Sequence, residues 1–254
     1  MKITENVFGY RTAIANIAYI AGLGNRKEEW VLIDTGVPYS APFILKNTDQ
    51  LFKGKKPLAI ILTHAHFDHI GALQTLVKKW NVPVYIHEQE IPYLESKKKY
   101  PPPTPLREKG MMSFLSPFYP RDGIDFHSSI KPIPWDGSLP YLDDWKWIHT
   151  PGHTEGHISL FREKDRLLLA GDALITVKQE SLFAVLTQKK KIHGPPAYFT
   201  PDINTSFQSI EKLLALDPQI LYTGHGMPMY GAEIREGIRE LLYQYNTENL
   251  VKEI

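Results

Sequence analysis

The sequence predicts an α/β protein in which two sheets face each other with helices on the outside. Three observations predict it. β-runs and helical patterns mix along the whole chain instead of segregating. The first half holds several strands and two helices, and the second half repeats that content. Strands often follow one another with no helix between them, which disfavours a doubly wound parallel sheet. No linker divides the 254 residues, so 1–254 are expected to form a single domain.

The elements run in this order. Residues 3–8 and 14–20 read as strands, a Gly-rich turn follows at 22–26, and 30–33 is a third strand ending in Asp34-Thr35-Gly36. Ser40 is the expected N-cap of a helix to about Phe52, with Ile44, Leu45, Thr48 and Leu51 on its apolar side. A buried strand at 58–62 leads through a His-rich turn into a helix to about Trp80, and 82–86 is a further strand. Residues 88–129 carry a weak pattern. Their Lys97-Lys98-Lys99-Tyr100-Pro101-Pro102-Pro103 run cannot be a helix interior or a central strand. Long irregular segments of this kind are often lids. Met111 to Tyr119 form either a short helix over a cleft or part of the core. Strands resume at 130–135, 145–149, 158–161 and 167–170, and a second irregular stretch covers 173–200. Asp202 caps an expected helix with Phe207, Ile210, Leu213 and Leu214 inward. A strand at 219–222 and a helix from 231 to about 245 close the chain.

Composition removes several classes of function. The formal net charge is +1, so nothing in the overall electrostatics favours nucleic acid. There is no cysteine, which excludes disulfides, thiolate ligands and cysteine nucleophiles and fits a cytoplasmic protein. Neither a signal peptide nor a bilayer-length apolar run is visible, so a membrane partner is not expected.

The chemistry concentrates at Thr63-His64-Ala65-His66-Phe67-Asp68-His69. His64 and His66 alternate on an extended segment and can point the same way. Asp68 and His69 follow where the chain turns into a helix, and can face a second point nearby. A loop that merely happens to be rich in His explains a His-x-His pair, but not this whole set after an apolar strand. Three further strand ends carry candidates: His153 in Pro151-Gly152-His153-Thr154, Asp172 after Gly171, and His225 between Gly224 and Gly226. Together they offer His64, His66 and His153 to one metal and Asp68, His69 and His225 to another, with Asp172 bridging. Positions left for water mark a catalytic rather than a structural site.

These motifs resemble those of the metallo-β-lactamase-fold hydrolase superfamily. Asp34-Thr35-Gly36, the His64-x-His66-x-Asp68-His69 signature, Pro151-Gly152-His153-Thr154, Gly171-Asp172 and Gly224-His225-Gly226 stand in the family's order over nearly the whole chain. The resemblance implies a four-layer αββα sandwich of two mixed β-sheets flanked by helices, with a dinuclear site of divalent ions, usually Zn2+, with Mn2+ or Fe2+ as alternatives. A metal lowers the pKa of bound water from 15.7 to about 7, which makes hydroxide available for attack on a carbonyl. Asp68 and Asp172 hold metal and are the candidate catalytic acceptors of the nucleophile's proton. The expected reaction is hydrolysis of an ester, thioester or lactone of a small molecule. The chain is similar to the glyoxalase II and lactonase-like branch, with two departures. With room for only one helix after His225, the glutathione-binding C-terminal domain of the glyoxalase II enzymes is not expected here, and Ile175 stands where lactonases commonly carry Tyr. A mononuclear iron oxidoreductase of the persulfide dioxygenase kind and a phosphodiesterase are the alternatives.

Other candidates have structural readings. Asp34 is expected to fix the ligand loop by hydrogen bonds rather than to bind metal. His157 reads as a packed, hydrogen-bonded residue, His149 and His87 as ordinary strand-end histidines, and His127 carries no signal. His193 is a minor candidate for substrate contact. Lys97 to Lys99 and Lys189 to Lys191 read as solvated loop charges, or as attractants of an anionic substrate if they line a cleft mouth.

Overall fold

The computed structural model describes residues 1–107, 110–121, 123–124 and 130–252. The chain divides into two compact units, the first of residues 1–102 and 119–147, the second of residues 103–118 and 148–254. Each is built on a mixed sheet with helices of its own, which is the α/β class expected.

The first unit contains a six-stranded sheet whose strands lie side by side in chain order: β1 (Val7–Thr12), β2 (Ala15–Leu23), β3 (Glu29–Ile33), β4 (Ile60–Ile61), β5 (Val84–Ile86) and β6 (Ile130–Pro132). β1 to β3 are antiparallel, and β3 to β6 run parallel. β1 starts later than the sequence suggested. The amides of Ile3 and Thr4 both donate to the Val7 carbonyl, so residues 3–6 bend before the strand begins. The hairpin then turns at Ala13, whose positive φ of 60° no Gly or Asn announced.

Helix α1 (Ala41–Phe52) buries Ala41, Ile44 and Thr48. Ser40 precedes it without capping it. Its backbone is already helical, and its hydroxyl donates to the Val37 carbonyl at 2.6 Å. The single helix expected to reach Trp80 is two, α2 (Phe67–Ile70) and α3 (Leu73–Trp80). The break lies at Gly71, whose amide donates to the Gly36 carbonyl at 2.8 Å and not along the helix. α3 buries Leu73, Leu76, Val77 and Trp80, the spacing of one helical face. Trp30 of β3 stacks on Phe52 at 4.3 Å and meets Trp80 edge-on at 5.7 Å, tying both helices to the sheet. Helix α4 (Ile91–Leu94) follows β5.

β7 (Trp145–His149) carries the chain into the second unit. The second sheet has five strands in the order β11-β10-β9-β8-β7, with β8 at Ile158–Arg162, β9 at Leu167–Leu169, β10 at Ile220–Tyr222 and β11 at Met229–Tyr230. β9 and β10 are parallel; β8 and β11 run antiparallel to their neighbours β9 and β10. Short helix α5 (Met111–Leu115) and α6 (Leu182–Thr187) fall in the two stretches read as irregular. α6 is capped by Ser181, whose hydroxyl accepts from the Ala184 amide. α7 (Ile203–Ala215) starts at Asp202 as expected, the carboxylate accepting from the Thr205 amide at 2.9 Å. α7 and α8 (Ala232–Lys252) bury Ile210, Leu213, Ile234 and Ile238 in one apolar cluster with Leu168 and Leu221 of the sheet. No helix among the described residues is long and apolar enough to cross a membrane.

Candidate metal centre

Most of the metal-ligand candidates follow the carboxyl ends of strands that pair parallel, β4 with β3 and β9 with β10, where α/β sheets characteristically hold ligands. In the first unit the strands are β3 and β4, paired Leu32 with Ile60 and Ile33 with Ile61. Asp34-Thr35-Gly36 follows β3, and Thr63 to His69 follow β4. His66 is extended and opens α2, whose first turn carries Asp68 and His69. His64, His66, Asp68 and His69 are all buried.

The Asp34-Thr35-Gly36 motif clamps this turn. Asp34 Oδ1 accepts from the Thr63 amide at 2.8 Å, while Oδ2 accepts from the Thr63 hydroxyl at 2.8 Å and from His69 Nδ1 at 2.9 Å. Thr35 donates to the His69 carbonyl through both its amide, at 2.7 Å, and its hydroxyl, at 2.8 Å. A Cβ on Gly71 would sit 2.1 Å from the Pro38 nitrogen, so only glycine lets the end of α2 approach this strand exit. Asp34 thus has the hydrogen-bonding role expected of it.

The same bonds set tautomers. Thr63 gives its hydroxyl proton to Asp34, so it accepts from His64 Nδ1 at 3.0 Å. His69 likewise gives its Nδ1 proton to the Asp34 carboxylate. Both rings therefore carry the lone pair on Nε2, the form a metal requires.

Two residues of the clamp were not legible in the sequence. Buried Glu90 accepts from the Ala65 amide at 3.0 Å and from the Tyr100 hydroxyl. Ala65 lies between His64 and His66, so this pair fixes the extended stretch from its other side. Burial, then the Glu90 carboxylate, holds the Tyr100 hydroxyl well above the usual tyrosine range, so Tyr100 stays a donor. Its ring packs on His66 with centroids 4.3 Å apart. Tyr119 packs on Phe67 at 5.6 Å, and burial followed by the charge of Asp68 raises its pKa.

In the second unit the two strands are β9 and β10, paired Leu169 with Tyr222. Asp172 follows β9 and His225 follows β10, and the Gly224 amide donates to the Gly171 carbonyl at 2.7 Å. Gly226 has φ +100°, and a Cβ there would meet Thr176 Oγ1 at 2.4 Å and Val177 N at 2.9 Å. The glycine after His225 is therefore a steric necessity. His153 comes from the turn between β7 and β8. Asp172 Oδ2 lies 3.0 Å from His225 Nε2 and 3.5 Å from His153 Nε2, so three buried ligand atoms converge.

His157 is packed and hydrogen-bonded, as expected. Its Nε2 accepts from the Asp172 amide at 2.9 Å, which puts its proton on Nδ1 facing the Thr150 hydroxyl at 2.8 Å. Ser159 spends its proton on the Ala170 carbonyl at 2.9 Å, so Thr150 donates to Ser159 at 3.1 Å. This relay pins the Gly171-Asp172 turn to β8. Thr200, to which the sequence assigned no role of its own, does the same for His153. Its hydroxyl donates to the Pro196 carbonyl at 2.8 Å and accepts from His153 Nδ1 at 3.1 Å, leaving the lone pair on Nε2.

The remaining candidates fall as follows. His149 Nε2 contacts the Glu155 carbonyl at 2.9 Å, and His87 packs between Trp135 and Trp147. His193 is half-buried, and burial lowers its pKa. Lys97 pairs with Glu95 and Lys191 with Glu240, both at the surface. His127 lies outside the described residues.

Imidazoles and carboxylates without thiolates suit Zn2+, Mn2+ or Fe2+, and the buried groups make His/Asp clusters consistent with a dinuclear metal site. The family model of the metallo-beta-lactamase superfamily matches residues 13–225, and the chain belongs to that superfamily. It is 51% identical over 241 residues to the probable metallo-hydrolase YflN of Bacillus subtilis (strain 168), an alignment covering 94% of this chain and 91% of that one. Among solved structures, BLEG-1 B3 metallo-beta-lactamase matches with a TM-score of 0.66 at 24% identity over 92% of this chain and 99% of that one. TTHA1623 in a di-iron-bound form matches with a TM-score of 0.57 at 25% identity, covering 88% of this chain and 93% of that one.

Proposed function

We propose that the protein is a dinuclear metal-dependent hydrolase that cleaves an ester, thioester or lactone of a small molecule in the cytoplasm. In this reading His64, His66 and His153 would hold one ion, Asp68, His69 and His225 would hold the other, and Asp172 would serve both. The observation that carries it is the set of second-tier hydrogen bonds. Asp34 and Thr200 lock His64, His69 and His153 with Nε2 basic, an arrangement with no purpose in a loop that binds nothing. When bound, two such ions lower the pKa of a water they hold and polarise a carbonyl oxygen. Asp68 and Asp172 are then the carboxylates positioned to take the proton from the attacking water. The name of the Bacillus subtilis relative, a probable metallo-hydrolase, supports the reaction class.

The metal is proposed to be zinc, and the branch to be the glyoxalase II and lactonase-like one. A panel of thioesters, lactones, simple esters, β-lactams and phosphodiesters, run with zinc-, manganese- and iron-loaded protein, tests the reading. Turnover of a carboxylic ester, thioester or lactone with two ions per chain is expected. One iron per chain with oxygen consumption and no hydrolysis would overturn it.

A further inference from the structure

A recess within the second unit includes none of the seven proposed metal ligands, and its volume is about 610 Å³, inside the usual range of small-molecule sites. One wall is aromatic. Phe207 of α7 and Tyr245 of α8 stack with centroids 3.6 Å apart and planes 8° from parallel, and Leu241 extends the apolar surface. Buried Pro195 and Pro196 also line it.

The polar groups around this wall are nearly all neutralised. Glu180 is paired with Lys178 at 3.2 Å, and Asn204 accepts from the Tyr245 hydroxyl at 2.6 Å. Burial favours the neutral form of His193. That leaves Arg107 as the fixed cation of the lining. It spends one of its five N–H donors on the Thr200 carbonyl, at 2.8 Å. That bond holds the guanidinium in place, and a planar fork so held matches a carboxylate.

We infer that this recess binds a small carboxylate with an apolar, aromatic body, Arg107 taking the carboxylate and Phe207 with Tyr245 facing the body. Thr200 connects it to the proposed metal ligand His153, since the same residue accepts from Arg107 at its carbonyl and from His153 at its hydroxyl. An acid of this kind is what ester or thioester hydrolysis releases. That functional link rests on the hydrolase reading; binding of the acid does not.

Calorimetric titration of the full-length, metal-loaded protein with 4-phenylbutyrate and its neutral amide tests the inference without reading turnover. The acid is expected to bind, and the amide to bind at least about tenfold more weakly, as the loss of a charged hydrogen-bond partner implies. Arg107→Gln should remove that difference and Arg107→Lys keep part of it, while Phe207→Ala should weaken acid and amide alike. Equal affinity for acid and amide overturns the inference, as does no binding of the acid. So does acid binding that survives Arg107→Gln but vanishes in Asp172→Ala, which would assign the carboxylate to the metal centre. If Arg107→Gln melts early, the acid-amide comparison repeated on Asp172→Ala decides: a preference for the acid that persists there supports the recess, and one that disappears overturns the inference.

Discussion

Replacing Asp34 by Asn changes little volume and reverses the sense of both hydrogen bonds made at one oxygen. Asp34 is 3% exposed and accepts at both oxygens: Oδ1 from the Thr63 amide, Oδ2 from the Thr63 hydroxyl and His69 Nδ1. Asn has one oxygen. If that oxygen stays on the Thr63 amide, the new NH2 points at His69 Nδ1. His69 must then accept there, and its proton moves to Nε2, the nitrogen proposed to hold metal. If the amide flips, its NH2 faces the Thr63 N–H, and two buried donors oppose each other at a cost of roughly 1–3 kcal/mol. Altering an outer partner of a metal-bound His costs about 10- to 100-fold in metal affinity, or about 1.4–2.7 kcal/mol. The same NH2 takes the place of the acceptor of the Thr63 hydroxyl, whose proton then turns to His64 Nδ1. Competition against a chromophoric zinc chelator should therefore show both ions weakened, the one proposed on His69 by about that factor and the one on His64 through Thr63. Asp34→Ala should lower the melting temperature further, because it leaves the Thr63 amide, the Thr63 hydroxyl and His69 Nδ1 without their acceptor. Two ions held with unchanged affinity by a normally folded Asp34→Asn protein would refute the reasoning.

Four further outcomes follow from the same geometry. Asp172→Ala should reduce hydrolysis to the level of metal-free protein and lower bound metal measured by elemental analysis; full activity in a metal-free variant would falsify the mechanism. Thr200→Val removes the acceptor of His153 Nδ1 and should weaken one ion by about tenfold in the chelator assay, with the melting curve little changed. Gly226→Ala must move Thr176 or leave the left-handed region, so a loss of roughly 1–3 kcal/mol and a fall of about 3–10 °C in Tm are expected. Asp202→Ala removes the α7 cap and should cost about 1 kcal/mol at neutral pH. Hydrogen bonds from the Thr205 amide and hydroxyl hold the Asp202 pKa below 3.8. Its stabilisation is therefore complete above 3.8 and is lost as pH falls through the lower folded value. Denaturant titrations of the two proteins should accordingly converge in acid.

The candidate residues of the site were legible because they stand at the ends of apolar runs beside chain-bending residues. Asp34 before Gly36, the proposed ligand Asp172 after Gly171 and the proposed ligand His225 between two glycines all announce a strand end. Apolar β-runs located the strands: the run at 58–62 is in paired register at Ile60–Ile61, and Leu58 and Leu62 at its ends still donate to the Trp30 and Tyr85 carbonyls. The helix after His69 was broken by a contact 35 positions back, where the Gly71 amide meets the Gly36 carbonyl. Periodicity carries no trace of such a bond. The same holds for Glu90, Tyr100 and Thr200. A buried polar residue far from its partner has no local pattern, and here all three lie in stretches whose composition reads as loop. Asp34 was readable in this role because its motif sits one strand away from the turn it clamps.

The two halves of the ligand set share a logic that the motifs alone do not express. In each unit a carboxylate or hydroxyl, already committed elsewhere in its own unit, leaves a histidine only one way to place its proton. Thr63 is committed to Asp34, and Thr200 to Pro196. His64, His69 and His153 thus already stand in the tautomer that the proposed metal binding needs, and bound ions would not have to select it. Preorganisation of this kind raises affinity by removing a cost and not by adding a contact. It also explains why the outer residues are neutral acceptors or a carboxylate and never cations. A lysine or arginine in place of Asp34 would turn His69 Nδ1 into an acceptor and put the proton where the metal must bind.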